Sequence, residues 1–260
     1  MRGIWHRDTV SWIIVSAMLP VVVAASLDLG FATMQRFGVA LAVICFWQGV
    51  FLFTRAQPLS PIALVTAFAV AVLASGTTEM WQIVLAASFG TVMGEQIFGG
   101  WGRNVVNAGV VTVAFLYFAF PEVLHTGTGP LVAIAAGFGA LLLLVMGVLS
   151  WRIAVAATMG LVLATFALGQ DPAAPFLEGS LVFGLVFLIG DPVASASTRM
   201  GRWAYGALAG ALVAIFGWAD AGIDAPQAVV FATLLASLFA PLLDAAAVAV
   251  ATRKWRGGHA

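Results

Sequence analysis

The sequence predicts an all-α polytopic membrane protein with about ten transmembrane helices, and three observations carry that prediction. Of 260 residues, 62% are hydrophobic and only 8% are charged, whereas a soluble domain carries roughly a quarter charged. So few polar side chains cannot coat a water-exposed surface. The apolar residues also fall into runs close to the ~20 that a bilayer core demands. Between the runs stand helix breakers, charges or both.

Element by element, the runs predict helices over 10–29, 37–54, 59–75, 81–98, 105–120, 130–149, 152–169, 177–190, 203–219 and 227–251. The separators are Pro58 and Pro61, Gly76, Gly99-Gly100, Pro121, Gly129-Pro130, Trp151-Arg152, Asp171-Pro172, Asp191-Pro192 and Pro226. Arg2 and Arg7 precede the first run, which is too long for the core of a cleavable leader. The eighth run is short and ends at Gly190-Asp191-Pro192, as a broken helix would.

Charge placement tests the count. With ten spans, the side that holds the termini collects Arg2, Arg7, Arg55, Arg103, Arg152, Arg199, Arg202, Arg253, Lys254 and Arg256, leaving Arg36 alone opposite. Asp28, Glu79, Glu122, Asp171, Glu178, Asp220 and Asp224 fall on the other side. This positive-inside bias predicts cytoplasmic termini in the inner membrane. The single cysteine, Cys45, lies in an apolar run and reads as a buried hydrophobe. One cysteine and three scattered histidines (His6, His125 and His259) argue against disulfide, haem or histidine-metal centres. The basic residues follow topology, so nucleic acid is not an expected partner, whereas membrane lipid is.

Two stretches place polar groups at helix breaks. One runs from Gly94 through Glu95, Gln96 and Gly99 to Asn104, followed by Asn107; the other runs from Gly190 through Asp191, Ser195, Ser197 and Thr198 to Arg202. Irregular backbone near membrane depth is tolerated against protein or a water-filled cavity. The sharper reading makes both stretches the lining of an ion, quinone or flavin site. The blander one makes them tight turns, with Glu95 paired to Arg103 and Asp191 to Arg199 or Arg202. Gly102-Arg103 and Gly201-Arg202 lie 99 positions apart, which suggests an internal duplication mapping helices two to five onto six to nine. The chain reads as a single integral membrane domain over 1–260, with halves near 1–125 and 126–260.

These residues carry a family resemblance. The run from Asp191 to Gly210, DPVASASTRMGRWAYGALAG, resembles a DPV(T/S)AS…GR…(Y/F)GALAG signature. The run from Val230 to Asp244, VFATLLASLFAPLLD, is similar to FA(I/V)LLAN…PLID, and Gly94 to Asn107 is similar to a GKQ(I/L)(F/Y)GG-G-N—N segment. All three belong to the NqrB/RnfD family, which takes its name from membrane components of the sodium-pumping NADH:quinone oxidoreductase and of the Rnf complex. The resemblance implies ten helices of urea-transporter-like architecture. It also implies a place in a redox-driven ion-translocating complex as one component rather than an enzyme alone, alongside other Rnf- or Nqr-type redox subunits. Electron flow through flavin or quinone would be coupled to Na+ or H+ movement. The flavin expected is FMN esterified to a threonine in an S-(G/Q)-A-T-(P/A)-L loop outside the cytoplasm, with riboflavin or quinone as further redox groups.

The matching loop here is Thr126-Gly127-Thr128-Gly129-Pro130-Leu131. Gly129 stands where the acceptor threonine belongs, so Thr128 or Thr126 would have to supply the hydroxyl; otherwise the loop is a helix-entry turn capped by threonine. Glu95 stands where the family commonly has lysine. Glu95, Asp191 and Asp244 are therefore the candidate cation ligands. Thr126, Thr128, Gly129, Asn104, Asn107, Ser195, Ser197, Thr198 and Arg202 are the candidate cofactor contacts. The second functional reading is a flavin-free, channel-like transporter or membrane anchor derived from the family.

Overall fold

A computed structural model describes residues 6–74, 77–121, 127–219 and 226–257. Among them are ten α-helices: α1 (Arg7–Leu29), α2 (Ala32–Arg55), α3 (Ile62–Leu73), α4 (Met80–Gly94), α5 (Ala108–Ala119), α6 (Pro130–Val145), α7 (Trp151–Ala167), α8 (Gly179–Phe183), α9 (Arg199–Ala219) and α10 (Pro226–Gly257). A π-helical turn, Gly184–Leu188, prolongs α8. The ten predicted spans each find their helix. The protein is an all-α polytopic membrane protein, and α1, α2, α9 and α10 are long and apolar enough to cross a bilayer by length and composition alone. Its exterior is correspondingly apolar: Phe53 is 90% and Phe118 82% exposed, which only a lipid-facing surface makes sensible.

Local sequence explains the helix starts. Pro130 opens α6 at a position where its missing N–H costs nothing. Glu79 and Gln82 close a reciprocal capping box on α4. The Asn107 side chain accepts from the Gly109 and Val110 amides and so caps α5.

Side-chain contacts order the ends of the bundle. Arg7 reaches Gly100 and Gly102, and Gln57 Nε2 donates to the Gln96 carbonyl at 3.1 Å. The start of α1, the α2–α3 loop and the α4–α5 loop therefore share one end, the basic end. At the acidic end, Asp28 accepts from the Gly129 amide at 2.6 Å, and Glu178 packs against Gly127.

The helices α1–α5 pack among themselves in the pattern that α6–α10 repeat. α2 lies on α3 and α4 as α7 lies on the π turn and α9; α4 meets α5 as α9 meets α10; α1 meets α3 as α6 meets α8. The pairing runs five helices apart, not four, which corrects the register suggested by the Gly-Arg dipeptides. Gly102-Arg103 sits in the α4–α5 loop and Gly201-Arg202 in the first turn of α9, so the two are not equivalent positions.

The matching third elements, α3 and α8 with its π turn, are short and almost wholly buried. Twelve residues of α3 rise about 18 Å, well under the hydrocarbon thickness. The carbonyls beyond its last turn are met by side chains: Tyr117 Oη donates to Leu73 O at 2.8 Å and Arg36 Nη1 to Ala74 O at 2.5 Å. Arg36 is thus a buried cap, 1% exposed, and not a loop charge. Cys45 is exposed on α2. Its apolar run faces outward, so the expected burial is wrong: in a membrane an apolar run does not tell core from lipid.

Helices α7 and α9 approach at backbone contact. A Cβ at Gly206 would meet the Ile153 carbonyl, and one at Gly210 the Ala157 carbonyl and the Leu161 amide. Gly210→Val should therefore abolish the monodisperse peak of detergent-solubilised protein in size exclusion, because backbone cannot yield as a rotamer can; overpacking alone costs about 1–3 kcal/mol. Gly137→Ala, in α6 with nothing within 4 Å, should leave the peak unchanged.

Candidate functional site

The two helix breaks meet. After Gly94 the chain leaves α4 through Glu95, makes a 3-10 turn over Gln96–Phe98 and doubles back through Gly99, Gly100 and Gly102. Their φ values of 99°, 88° and 96° are open to glycine and strained for other residues. Asn104 stiffens the return, accepting from the Gly102 amide at 3.1 Å and donating to the Val106 carbonyl at 2.9 Å. The loop then delivers Asn107, whose Nδ2 donates to Asp191 Oδ2 at 2.5 Å across 84 residues of sequence. Asp191 Oδ1 in turn accepts from the Val193 and Ala194 amides at 2.7 and 2.8 Å.

Asp191 is 4% exposed and is held by amides. The expected pairing with Arg199 or Arg202 is absent among its bonds. Glu95, 3% exposed, accepts from Gln96 Nε2 at 3.0 Å and feels the charge of Arg7 rather than that of the expected Arg103. Burial pushes the Glu95 carboxyl up to about 7, against the pull of Arg7 and a backbone bond from Trp101; Asp191 adds to the rise. Glu95 lies in the turn beyond α4, at the end shared with Arg7. Tyr205, fully buried on α9, is within electrostatic reach of Asp191, and its hydroxyl approaches Ser237 without hydrogen-bond geometry.

Asp244 stands elsewhere. Its Oδ2 accepts from the Ser197 amide and hydroxyl at 2.8 and 2.9 Å, its Oδ1 from the Thr198 amide and hydroxyl at 2.9 and 2.6 Å. The carboxylate ties α10 to the entry of α9. Among the described residues no group of three or more His, Cys, Asp or Glu could hold a metal. Of the three expected cation ligands, Asp191 is bonded to Asn107 of the other break, Glu95 is buried in that break within electrostatic range of it, and Asp244 latches a loop.

At the opposite end, Thr126 lies outside the described residues. Thr128 is 2% exposed and its Oγ1 has no partner. Its carbonyl accepts from the Gly179 amide at 2.8 Å, and Gly179 has no side chain because Thr128 Oγ1, the Gly129 carbonyl and Val132 fill that space. Gly129 is the N-cap residue of α6. A flavin ester on Thr128 does not fit this enclosure. Sequence alone missed Arg36 and Tyr117 as polar partners. Their signal was a polar group within an apolar span, read as a loop charge for Arg36.

The decisive comparison covers almost the whole chain: residues 5–130 and 124–252 match the model of the NQR2, RnfD, RnfE family. The chain belongs to this family. The junction of the two matched stretches falls in the α5–α6 connection, where the five-helix pattern restarts. Among curated relatives, the B subunit of the Na(+)-translocating NADH-quinone reductase of Klebsiella pneumoniae (strain 342) is 28% identical over 97% of this chain and 76% of its own length. The same-named protein of Ectopseudomonas mendocina (strain ymp) is 26% identical over 80% of this chain, and that of Pseudomonas aeruginosa (strain LESB58) 28% identical over 76%. The chain spans 65% and 62% of the length of these last two.

Protonation of Glu95 should govern part of this family member's stability. A carboxyl raised from 4.5 to about 7 in the fold favours folding fully below 4.5 and loses that contribution as pH rises through 7. Glu95→Gln should therefore match the parent in thermal unfolding at about pH 5 and exceed its Tm at about pH 8.

Proposed function

We propose that this chain is the integral membrane subunit of a redox-driven ion-translocating complex of Rnf or Nqr type, in the inner membrane with cytoplasmic termini. The single observation that carries the reading is the buried Asn107–Asp191 bond, where two helix breaks from opposite halves of a family member meet, with Glu95 buried in the first of those breaks. Carboxylates kept out of water at helix breaks of a membrane protein are costly and mark ion or proton paths. Na+ or H+ enters at Glu95, at the end that carries Arg7, and passes Asp191 beside Tyr205. Two carboxylates with an amide between helix breaks suit a proton relay or an alkali cation. Other Rnf- or Nqr-type subunits bring electrons, with flavin or quinone as the redox groups. The single domain comprises two five-helix halves, divided at the α5–α6 connection.

The enclosure of Thr128 favours a member without ester-linked FMN on that residue. This supports the second reading, a flavin-free relative that moves ions or anchors redox partners, as far as this loop is concerned.

Two outcomes test these readings. In inverted membrane vesicles holding the complete complex, Asp191→Asn should cut redox-driven ion uptake at least tenfold while the chain stays at parental abundance. Undiminished uptake would exclude Asp191 from the path. For the flavin, Thr128→Ala should leave in-gel flavin fluorescence of the denatured chain as it is in the parent; loss of a parental signal on this change alone would restore the ester.

A further inference from the structure

On the other side of the Gly190–Pro192 turn is a cavity of about 70 Å³, lined by Ser150, Ile153, Gly190, Pro192, Ser195 and Arg202. It adjoins the ion junction without taking Glu95, Asn107 or Asp191 into its lining, and it does not depend on the redox reading. Ser150 is the N-cap residue of the 17-residue helix α7, the position where serine normally accepts from the first-turn amides. Here it makes no capping bond, and its Oγ is buried without any partner. Both the hydroxyl and the α7 amides up to Ile153 are therefore left with donors to spend, at the positive end of the helix dipole.

Arg202 supplies the charge. Its Nε donates to the Ala196 carbonyl at 3.3 Å, which uses one of five donors and fixes the plane of the guanidinium at the cavity wall. The bonds of the neighbouring Asp191 carboxylate go to Asn107 and to two amides, so the remaining guanidinium donors are not taken by that carboxylate. Donors from a serine, a helix N-terminus and an arginine converge on a space too small for an aromatic cofactor ring. That is the donor set of an oxyanion site.

We propose that this cavity binds a phosphate group, either that of an anionic lipid headgroup or free phosphate. The surroundings fit an interfacial headgroup. Trp151 and Trp203 meet edge to face at 5.6 Å, and Arg152 lies 4.9 Å over the Trp151 ring, the aromatic and basic furniture of a membrane surface.

The test is thermal stabilisation of the full chain purified in detergent, titrated separately with inorganic phosphate, dioctanoyl phosphatidylglycerol and phosphate-free dioctanoylglycerol. Saturable stabilisation by the phosphatidylglycerol but not by the diglyceride assigns the site to lipid. Stabilisation by inorganic phosphate at similar concentrations assigns it to the free ion. In either case Arg202→Gln and Ser150→Ala should each weaken binding about tenfold. Ser150→Ala should keep the parental Tm without ligand, since its hydroxyl bonds nothing among the described residues. No stabilisation by either phosphate compound, or equal affinity in both variants, would overturn the proposal.

Discussion

The Asn107–Asp191 hydrogen bond is the constraint on which the rest of the interior depends. The amide has one face for each neighbour: Oδ1 is committed to the Gly109 and Val110 amides at 2.7 and 3.3 Å, so Nδ2 must face Asp191. Asp191 spends its other oxygen on the amides that open the next break. One asparagine thus starts α5, hydrogen-bonds a buried carboxylate and joins the two halves of the bundle. An aspartate there would offer acceptors to both sides and repel its partner, and an apolar residue would strand the carboxylate. A hydrogen bond to a charged group contributes about 1.5–3 kcal/mol, but the larger cost is that of leaving such a group buried and unmet.

A membrane interior multiplies this kind of obligation, because short helices end where no water can meet their carbonyls. The third element shows the solution: Arg36 and Tyr117, from the flanking helices α2 and α5, reach across to its last carbonyls. Asp244 does the converse at the entry of α9, accepting from the amides and hydroxyls of two residues. Each of these polar side chains sits in or beside an apolar helix because a broken backbone nearby needs it.

This explains which features were legible in the sequence. The ten helices and both breaks were, since hydropathy runs, prolines and glycines act locally. Partners were not. Asn107 and Asp191 are 84 residues apart, and no local pattern says that one amide faces the other's carboxylate. Arg36 looked like a stray loop charge because its acceptor, the Ala74 carbonyl, is a backbone atom 38 residues away. The likeness of Gly102-Arg103 to Gly201-Arg202 misled the repeat register, because a dipeptide is too short to distinguish a loop from a helix start. Cys45 was misjudged since lipid rewards the same residues as the core. For Thr128, the sequence raised the hydroxyl as a candidate, and only the proximity of Gly179 showed that it is enclosed.

The glycine seam between α7 and α9 has a mechanical consequence. With Gly160 against the Ala207 carbonyl, and Gly206 and Gly210 against the carbonyls of Ile153 and Ala157, the two backbones interlock in both directions and neither can slide or roll without collision. They travel as one plank. The departure from α-helical geometry falls beside this plank, at the π turn Gly184–Leu188, and the Asp191 amide donates back to the Leu188 carbonyl, so the carboxylate stands at the end of that turn.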